Sequence, residues 1–573
     1  AVGAVASKTI DNRAAIQAAL DFGALSGRNV LIPAGTYNYT GFLIVRNKTG
    51  LIGVPGQSIL YCSAVDTGAI IMEGNGGTLY GITRLQYLPR PVGINGRSAN
   101  DLANGIYCRG AINFTIQFCR TEGPQGASLM VRGCQYGRIT NNWFESSLAD
   151  SIHITAAGKN DTPIYNPDGT YLENNKTPIP SYRLHVADNI VNNSGDDNIA
   201  VVSYAGHALA VPASDPVVTY PGYYTYNTVS GSTRILQANN QSINIVGNST
   251  YGGDARGITV VGGKNVNITG NYIEDPVQAG ILAYGEDSYD TYGCENVNIV
   301  GNTLVNTGNG GDYKPLRYDA YGNQMLNRNN QLGLTRNNDN VANASVIISG
   351  RSAFPSSNIS FRGNMLIGMR QRGVSIDANV NNVDVVGNNF RDSVGVAIFA
   401  NAGTNISIKD NRVTDARDSA IGVNIFNCAG HVVVDGNQLH NINTSGSGGT
   451  DAIHFEGQPA SGVISTVISN NKISGPQTYE RFIEAFFDNV IAENNTGSPD
   501  VGLGGTPNSV KQRVKATNTS NTSSNNSNAG AAPTALTQAV TQTDYNTLVG
   551  NFNKLRSDYA DLLTKLYNAG LTK

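Results

Sequence analysis

The sequence predicts an all-β chain wound into a parallel β-helix, and three observations predict it. A Gly-Asn pair follows a short apolar run again and again, as in Ile245-Val246-Gly247-Asn248, Ile268-Thr269-Gly270-Asn271 and Ile299-Val300-Gly301-Asn302. The same slot recurs at Asn364, Asn388, Asn411, Asn437 and Asn471, and upstream at Cys119, Asn142 and Asn189. The steps from 248 to 271, 364 to 388 and 388 to 411 are 23, 24 and 23 residues, a length that suits one turn of a β-solenoid. Composition agrees: charged residues are 14% of the chain, and Gly is 66 of 573 residues, above the usual ~7%.

Each predicted turn supplies short strands in which β-branched and polar residues alternate, such as Val266-Asn267-Ile268 and Val383-Asp384-Val385. One face then points into the coil and the other to water. Gly at the corner takes left-handed backbone angles at little cost, and Asn beside it tolerates them. Stacked Asn side chains can also bond to one another from turn to turn.

Taken in order, residues 8–25 read as a helix with Asp11 as cap and Ile16, Ala19, Leu20 and Ala24 on its apolar face. Residues 30–37, Val-Leu-Ile-Pro-Ala-Gly-Thr-Tyr, read as a strand and turn, so 1–34 form a capping unit. This helix and the following Ile-Pro-Ala-Gly-Thr-Tyr segment resemble the start of pectate-lyase-like proteins. That resemblance implies a right-handed, single-stranded coil whose open end the helix covers. The coil is expected over 35–500. Steps of 47, 59 and 62 residues (142 to 189, 189 to 248 and 302 to 364) exceed one period. The excess falls in 158–181, 204–240, 284–294 and 308–342. These loops are rich in tyrosine, including Tyr165, Tyr171, Tyr204, Tyr220, Tyr284, Tyr289 and Tyr313. Such insertions gather on one face, and Tyr rings suit sugar rings.

Residues 501–533 read as an Asn/Ser/Thr-rich linker. Over 534–573, the residues Tyr545, Leu548, Phe552, Leu555, Tyr559, Leu562, Leu566 and Ala569 step in alternating threes and fours, a coiled-coil seam. Its aromatic seam positions need more room than a dimer core offers, so a homotrimer is expected.

A net charge of −3 gives no basic footprint for nucleic acid. No apolar run reaches the ~18 residues of a membrane span, and no signal peptide is visible. The six cysteines lack metal-site spacing and read as buried free thiols. No cofactor or metal is expected, since no metal-binding motif stands out.

The ladder also serves as a ruler. Eight residues past Asn142, Asn189 and Asn248 lie Asp150, Asp197 and Arg256, with Ala127 and Ala279 on the flanking turns. These positions should stack about 4.8 Å apart, with Asp196 alongside. Crowded carboxyls resist joint ionisation, so one keeps its proton while another stays charged. Glycoside hydrolysis needs that division between acid and base. His153, three residues past Asp150, is expected on the same face. Arg256, His153, Tyr204 and Tyr284 are the candidate substrate-binding residues. Glu274, Asp275, Glu286, Asp287, Asp312 and Asp319 are competing acids.

Asn193-Ser194-Gly195-Asp196-Asp197-Asn198-Ile199 resembles the Gly-Asp-Asp strand of the polygalacturonase-type hydrolases, glycoside hydrolase family 28. Asp150-Ser151-Ile152 is similar to that family's preceding Asp-Gly-Ile segment. The resemblance implies Asp196 as general acid, with Asp150 and Asp197 orienting and deprotonating water. The family's Gly-His-Gly and Arg-Ile-Lys are missing; Arg256 and Gly280-Ile281-Leu282-Ala283 stand near those places. Pectin is therefore not expected as substrate.

The capping helix, the inserted coil and the C-terminal seam together resemble a bacteriophage tailspike, as does the tail segment Asp544-Tyr545-Asn546-Thr547-Leu548-Val549. That resemblance implies a virion protein that acts outside the host cell on a bacterial surface polysaccharide, the O-antigen of lipopolysaccharide or a capsule. It implies contact with other phage tail or baseplate proteins through a domain upstream of Ala1. Two alternatives stay open: a polysaccharide lyase using Arg256 with His153 or a loop Tyr, and a sugar-binding adhesin without activity.

Overall fold

The computed structural model describes residues 3–86, 98, 100–166, 168–216, 218, 220, 222–308, 344–416, 422–442, 452–456, 463–474, 483–485, 490–493, 495 and 513–515. Within them the chain is a parallel β-helix. Turns contribute strands to three parallel sheets of 16, 14 and 14 strands, and each strand pairs with its counterpart on the next turn. One turn runs through Gln241–Val246 on the first face, Ser249–Tyr251 on the second and Ile258–Val261 on the third, then returns to the first at Lys264–Thr269. Alternate residues point inward, so Ile243, Ile245, Ile258 and Val260 are fully buried. They join one continuous apolar column with Phe144, Phe361 and Phe390.

The ladder asparagines sit at the corner between the first and second faces, fully inside the coil. The Asn189 amide and backbone N–H groups both donate to Asn248 Oδ1, at 2.9 and 3.0 Å, and its amide also reaches Ile139 O. The pattern repeats rung by rung from Asn142 to Asn495. The amide of each ladder Asn is thereby matched, which an apolar core demands. The labour at the corner divides more sharply than composition suggests. The residue before each Asn takes the left-handed angle, as at Gly247 (φ 65°) and Gly301 (φ 64°). Where that slot is not Gly, it is often Asn or Asp, as at Asn141, Asp188 and Asp410, which tolerate the same angle. The ladder Asn itself keeps ordinary backbone angles and serves through its amide.

The helix spans Arg13–Ser26, five residues later than its pattern suggests. The preceding residues are held otherwise: Ser7 bridges to Tyr37, and the Asn12 N–H donates to Asn38 O. Asn12, not Asp11, is the N-cap, although Asp11 Oδ1 accepts the N–H groups of Arg13 and Thr40 at 3.0 Å each. Ile16 and Leu20 enter the core and close the coil's end. Ala19 and Ala24 are only half-buried, and Gly23 takes the tight place, where a Cβ would lie 2.7 Å from Arg28 O.

The insertions have folds of their own. Segment 158–181 carries an antiparallel hairpin, Pro163–Tyr165 with Tyr171–Asn174. Segment 204–240 forms a three-stranded antiparallel sheet with Thr233–Gln237 in the middle. Tyr165 fastens its loop to buried Glu73 and Tyr223 to Gly110 O, while Tyr220 ties the second insertion to Glu173 of the first. Tyr182 and Tyr224 stack. All six cysteines are buried and free. The first sheet continues past 500 to Arg513–Lys515, inside the segment expected as linker. Residues 516–573 lie outside the described residues, and with them the heptad seam and the trimer expected from it. Among the described residues no helix is long and apolar enough to cross a membrane.

Replacing Asn302 by Ala strands the Asn271 N–H, leaves the Asn271 amide with Ile245 O alone, and removes the side-chain bonds to Ile268 O and Asn364. It should cost about 2–4 kcal/mol in urea unfolding. Asn298→Ala, on the exposed face, should stay within about 0.5 kcal/mol of the parent.

Candidate functional site

Strands Ile152–Thr155, Ile199–Val202 and Ile258–Val261 are neighbours on the third face, with Ile152, Ile199 and Ile258 in register. Two residues before each lies Asp150, Asp197 or Arg256, as the ladder count predicts. The column is built by side chains linking rungs. The Asp197 N–H donates to Asp150 Oδ1 at 2.9 Å, and the Arg256 N–H donates to Asp197 Oδ1 at 3.0 Å. One oxygen of each carboxyl thus holds backbone. The turn that presents Asp196 and Asp197 is fixed from below. The buried Ser194 hydroxyl donates to Asp196 O and to Asn198 Oδ1, and the Asn198 amide reaches Gly252 O. Gly195 leaves no room for a side chain: a Cβ would lie 2.4 Å from Leu148 O.

Asp150, Asp196 and Asp197 are 8, 9 and 5% exposed, and one oxygen of each lies within 4.8 Å of the others. Such a trio has the donors for a divalent cation as well as for proton transfer. His153 Nδ1 stands 2.5 Å from Asp150 Oδ2, and Arg256 Nη1 is 3.6 Å from Asp197 Oδ2. Burial pushes the Asp197 carboxyl up to about 7, against the pull of Arg256, and the charges of Asp196 and Asp150 add to the rise. Burial works against the Arg256 charge, but Asp197, Asp196, Glu286 and Asp150 outweigh it and raise its pKa.

The trio lies in a cleft of about 660 Å³. Its floor is the outward side of the third face, including Met130, His153, Thr155 and Val261. Three insertions wall it: Asp161 from 158–181, Tyr204 and His207 from 204–240, and Glu286 and Tyr289 from 284–294. The last loop is braced by Arg351, which binds Asp287, Asp290 and Thr291 O. Asp150, Asp196, Asp197, Arg256, His153 and Tyr204 all line this cleft. Tyr284 does not. It follows Val202 and Val261 in register at the end of strand Ile281–Tyr284, half-buried one rung beyond the lining residues.

Of the competing acids, Glu286 lines the cleft, and Asp287 stands in the same loop, paired with Arg351. Glu274 belongs to the second face, with Asp275 next to it, while Asp312 and Asp319 lie outside the described residues. The sequence reading missed Asp101, Arg132 and His207. Arg132 had a signal, since it pairs in register with Thr155 on the outward side of the preceding strand. Asp101 and His207 come from irregular segments with no period to count.

No family model matches the sequence, and no curated protein matches it. Among solved structures, the Azotobacter vinelandii mannuronan C-5 epimerase AlgE4 A-module is 14% identical, with 91% of this chain and 98% of that one covered and a TM-score of 0.35. The catalytic unit of the GH87 alpha-1,3-glucanase from Streptomyces thermodiastaticus is 16% identical, with 89% and 68% covered and a TM-score of 0.41. The Streptococcus pneumoniae surface protein and adhesin PfbA is 15% identical, with 90% and 96% covered and a TM-score of 0.37. An epimerase, a glucanase and an adhesin stand together here, so the activity of this chain has to be argued from its own site.

Because folding raises the Asp197 pKa, the buried group favours the folded state at low pH, and that contribution is lost as pH rises through about 7. Asp197→Asn should therefore raise the thermal midpoint at pH 8, by the equivalent of about 1–4 kcal/mol, and change it little at pH 4.

Proposed function

We propose that this chain is an endo-acting glycoside hydrolase of the phage tailspike kind, cutting the O-antigen or capsule of a bacterium. One observation carries the reading: three near-buried carboxyls converge in an inserted cleft, and one of them holds its proton up to about 7. That proton is what the leaving glycosidic oxygen needs, and the remaining carboxylates can take one from water. The polygalacturonase resemblance gives the donor role to Asp196, but the raised pKa stands on Asp197. Asp197 therefore donates to the leaving oxygen while Asp150 and Asp196 hold and deprotonate water. The proton retained on the crowded trio supplies the acid form near neutral pH. His153 fixes the orientation of Asp150 through Oδ2, and Arg256 does the same for Asp197.

Asp196→Asn and Asp197→Asn should each lower chain scission by about 10²-fold or more, read as reducing ends released from the surface polysaccharide of a susceptible bacterium. Far-ultraviolet dichroism should not change. Parent activity should decline above about pH 7, as the trio loses its proton. Near-parental activity in both variants would remove the assignment.

The heptad seam of 534–573 supports a homotrimer. Light scattering should give three times the chain mass, and a chain ending at 533 should lose that association. A monomer at full length would refute it.

A further inference from the structure

The charge of the cleft narrows its substrate. Asp101, Asp150, Asp161, Asp196, Asp197 and Glu286 line it, against Arg132 and Arg256 as its only Lys or Arg residues among those described. With histidines neutral its formal balance is −4, more negative than the −3 of the entire 573-residue chain. Burial lowers the His207 pKa, so that ring adds no charge near pH 7. A proton on Asp197 together with a charged His153 would still leave the cleft at −2.

Both guanidiniums already face a carboxylate of the cleft. Arg132 grips Asp101 with two bonds, Nη1 to Oδ2 at 2.6 Å and Nη2 to Oδ1 at 3.1 Å, and Nη1 also donates to the Tyr107 hydroxyl at 3.0 Å. Arg256 stands against Asp197 beneath the field of Asp196, Glu286 and Asp150. A carboxylate, phosphate or sulfate on the substrate would meet like charge in a walled cleft, where such fields are focused. The other lining groups suit uncharged sugar: Met130, Val202 and Val261 on the floor, with Tyr204 and a half-exposed Tyr289 offering flat ring faces.

We propose that this cleft accepts only acid-free repeats, built of neutral or amino-bearing sugars, and excludes polymers that carry uronate or other acids. The inference rests on the reading of the cleft as the hydrolytic site. Among the described residues, the cleft offers no Lys or Arg beyond Arg132 and Arg256 to neutralise the uronate carboxylate that β-elimination requires.

The test uses the full chain and an array of purified bacterial surface polysaccharides of known repeat, half acid-free and half uronate-bearing. Retention on the array, reducing ends and near-ultraviolet absorbance are read together. Retention and scission confined to acid-free polymers support both readings. At low salt, uronate-bearing polymers should be retained at least about tenfold more weakly, with the gap narrowing as ionic strength rises. Uronate-bearing polymers cut with reducing ends and no absorbance overturn the charge inference and leave the hydrolase standing. Absorbing, unsaturated products overturn both. Retention of acid-free polymers alone, with none cut, supports the charge inference and overturns the hydrolase.

Discussion

The structure depends on one repeated hydrogen bond, the buried amide of one turn held by the asparagine of the next. A parallel coil has no hairpins to set its register, and a slip of one residue would turn each strand inside out. The ladder prevents that slip. Each Asn Oδ1 takes two donors from its neighbour, so a displaced turn would leave amides stranded in an apolar interior. The Gly, Asn or Asp before it supplies the left-handed corner that aims the amide inward.

The candidate site is a variation on the same device. At the corner between the second and third faces, carboxylates instead of amides receive the next rung's N–H. Asp150 holds Asp197, and Asp197 holds Arg256. Two turns before Asp150, Asn104 Oδ1 holds the Ala127 N–H in the same way. An amide there is a structural link; a carboxylate there is both a link and a source or sink of protons. The coil thus holds three acids at a spacing that isolated loops would not sustain against their repulsion. The same crowding and burial that destabilise the ionised trio keep a proton on it near neutral pH.

Insertions convert this acidic corner into a cleft. They leave the coil after the third face, beside the column, and are fastened by polar anchors such as Tyr165 on Glu73 and Arg351 on Asp287. Tyr165, Tyr220 and Tyr223 serve that fastening, while Tyr204 and Tyr289 line the cleft. The walls add Asp161 and Glu286 to the trio, so the loops that enclose the site also make it more acidic.

Periodic features were legible in the sequence by itself, because period is a local property written many times over. The coil, the ladder and the column of Asp150, Asp197 and Arg256 all follow from counting residues within a turn. The insertions at 158–181, 204–240 and 284–294 did not disturb that count, since they enter after the third-face strand and leave the eight residues past Asn142, Asn189 and Asn248 intact. Tertiary structure alone decided what lies across the cleft. Asp101, Asp161 and His207 come from segments without a period, and Tyr284 proved to be the end of a strand, not a wall. The helix start likewise moved to Arg13, because Ser7 and Asn12 are taken by the edge of the first turn. Protonation belongs to the same class. Sequence places acids near one another, but only burial and the facing Arg256 determine how strongly Asp197 holds its proton, and both depend on neighbours brought from distant turns.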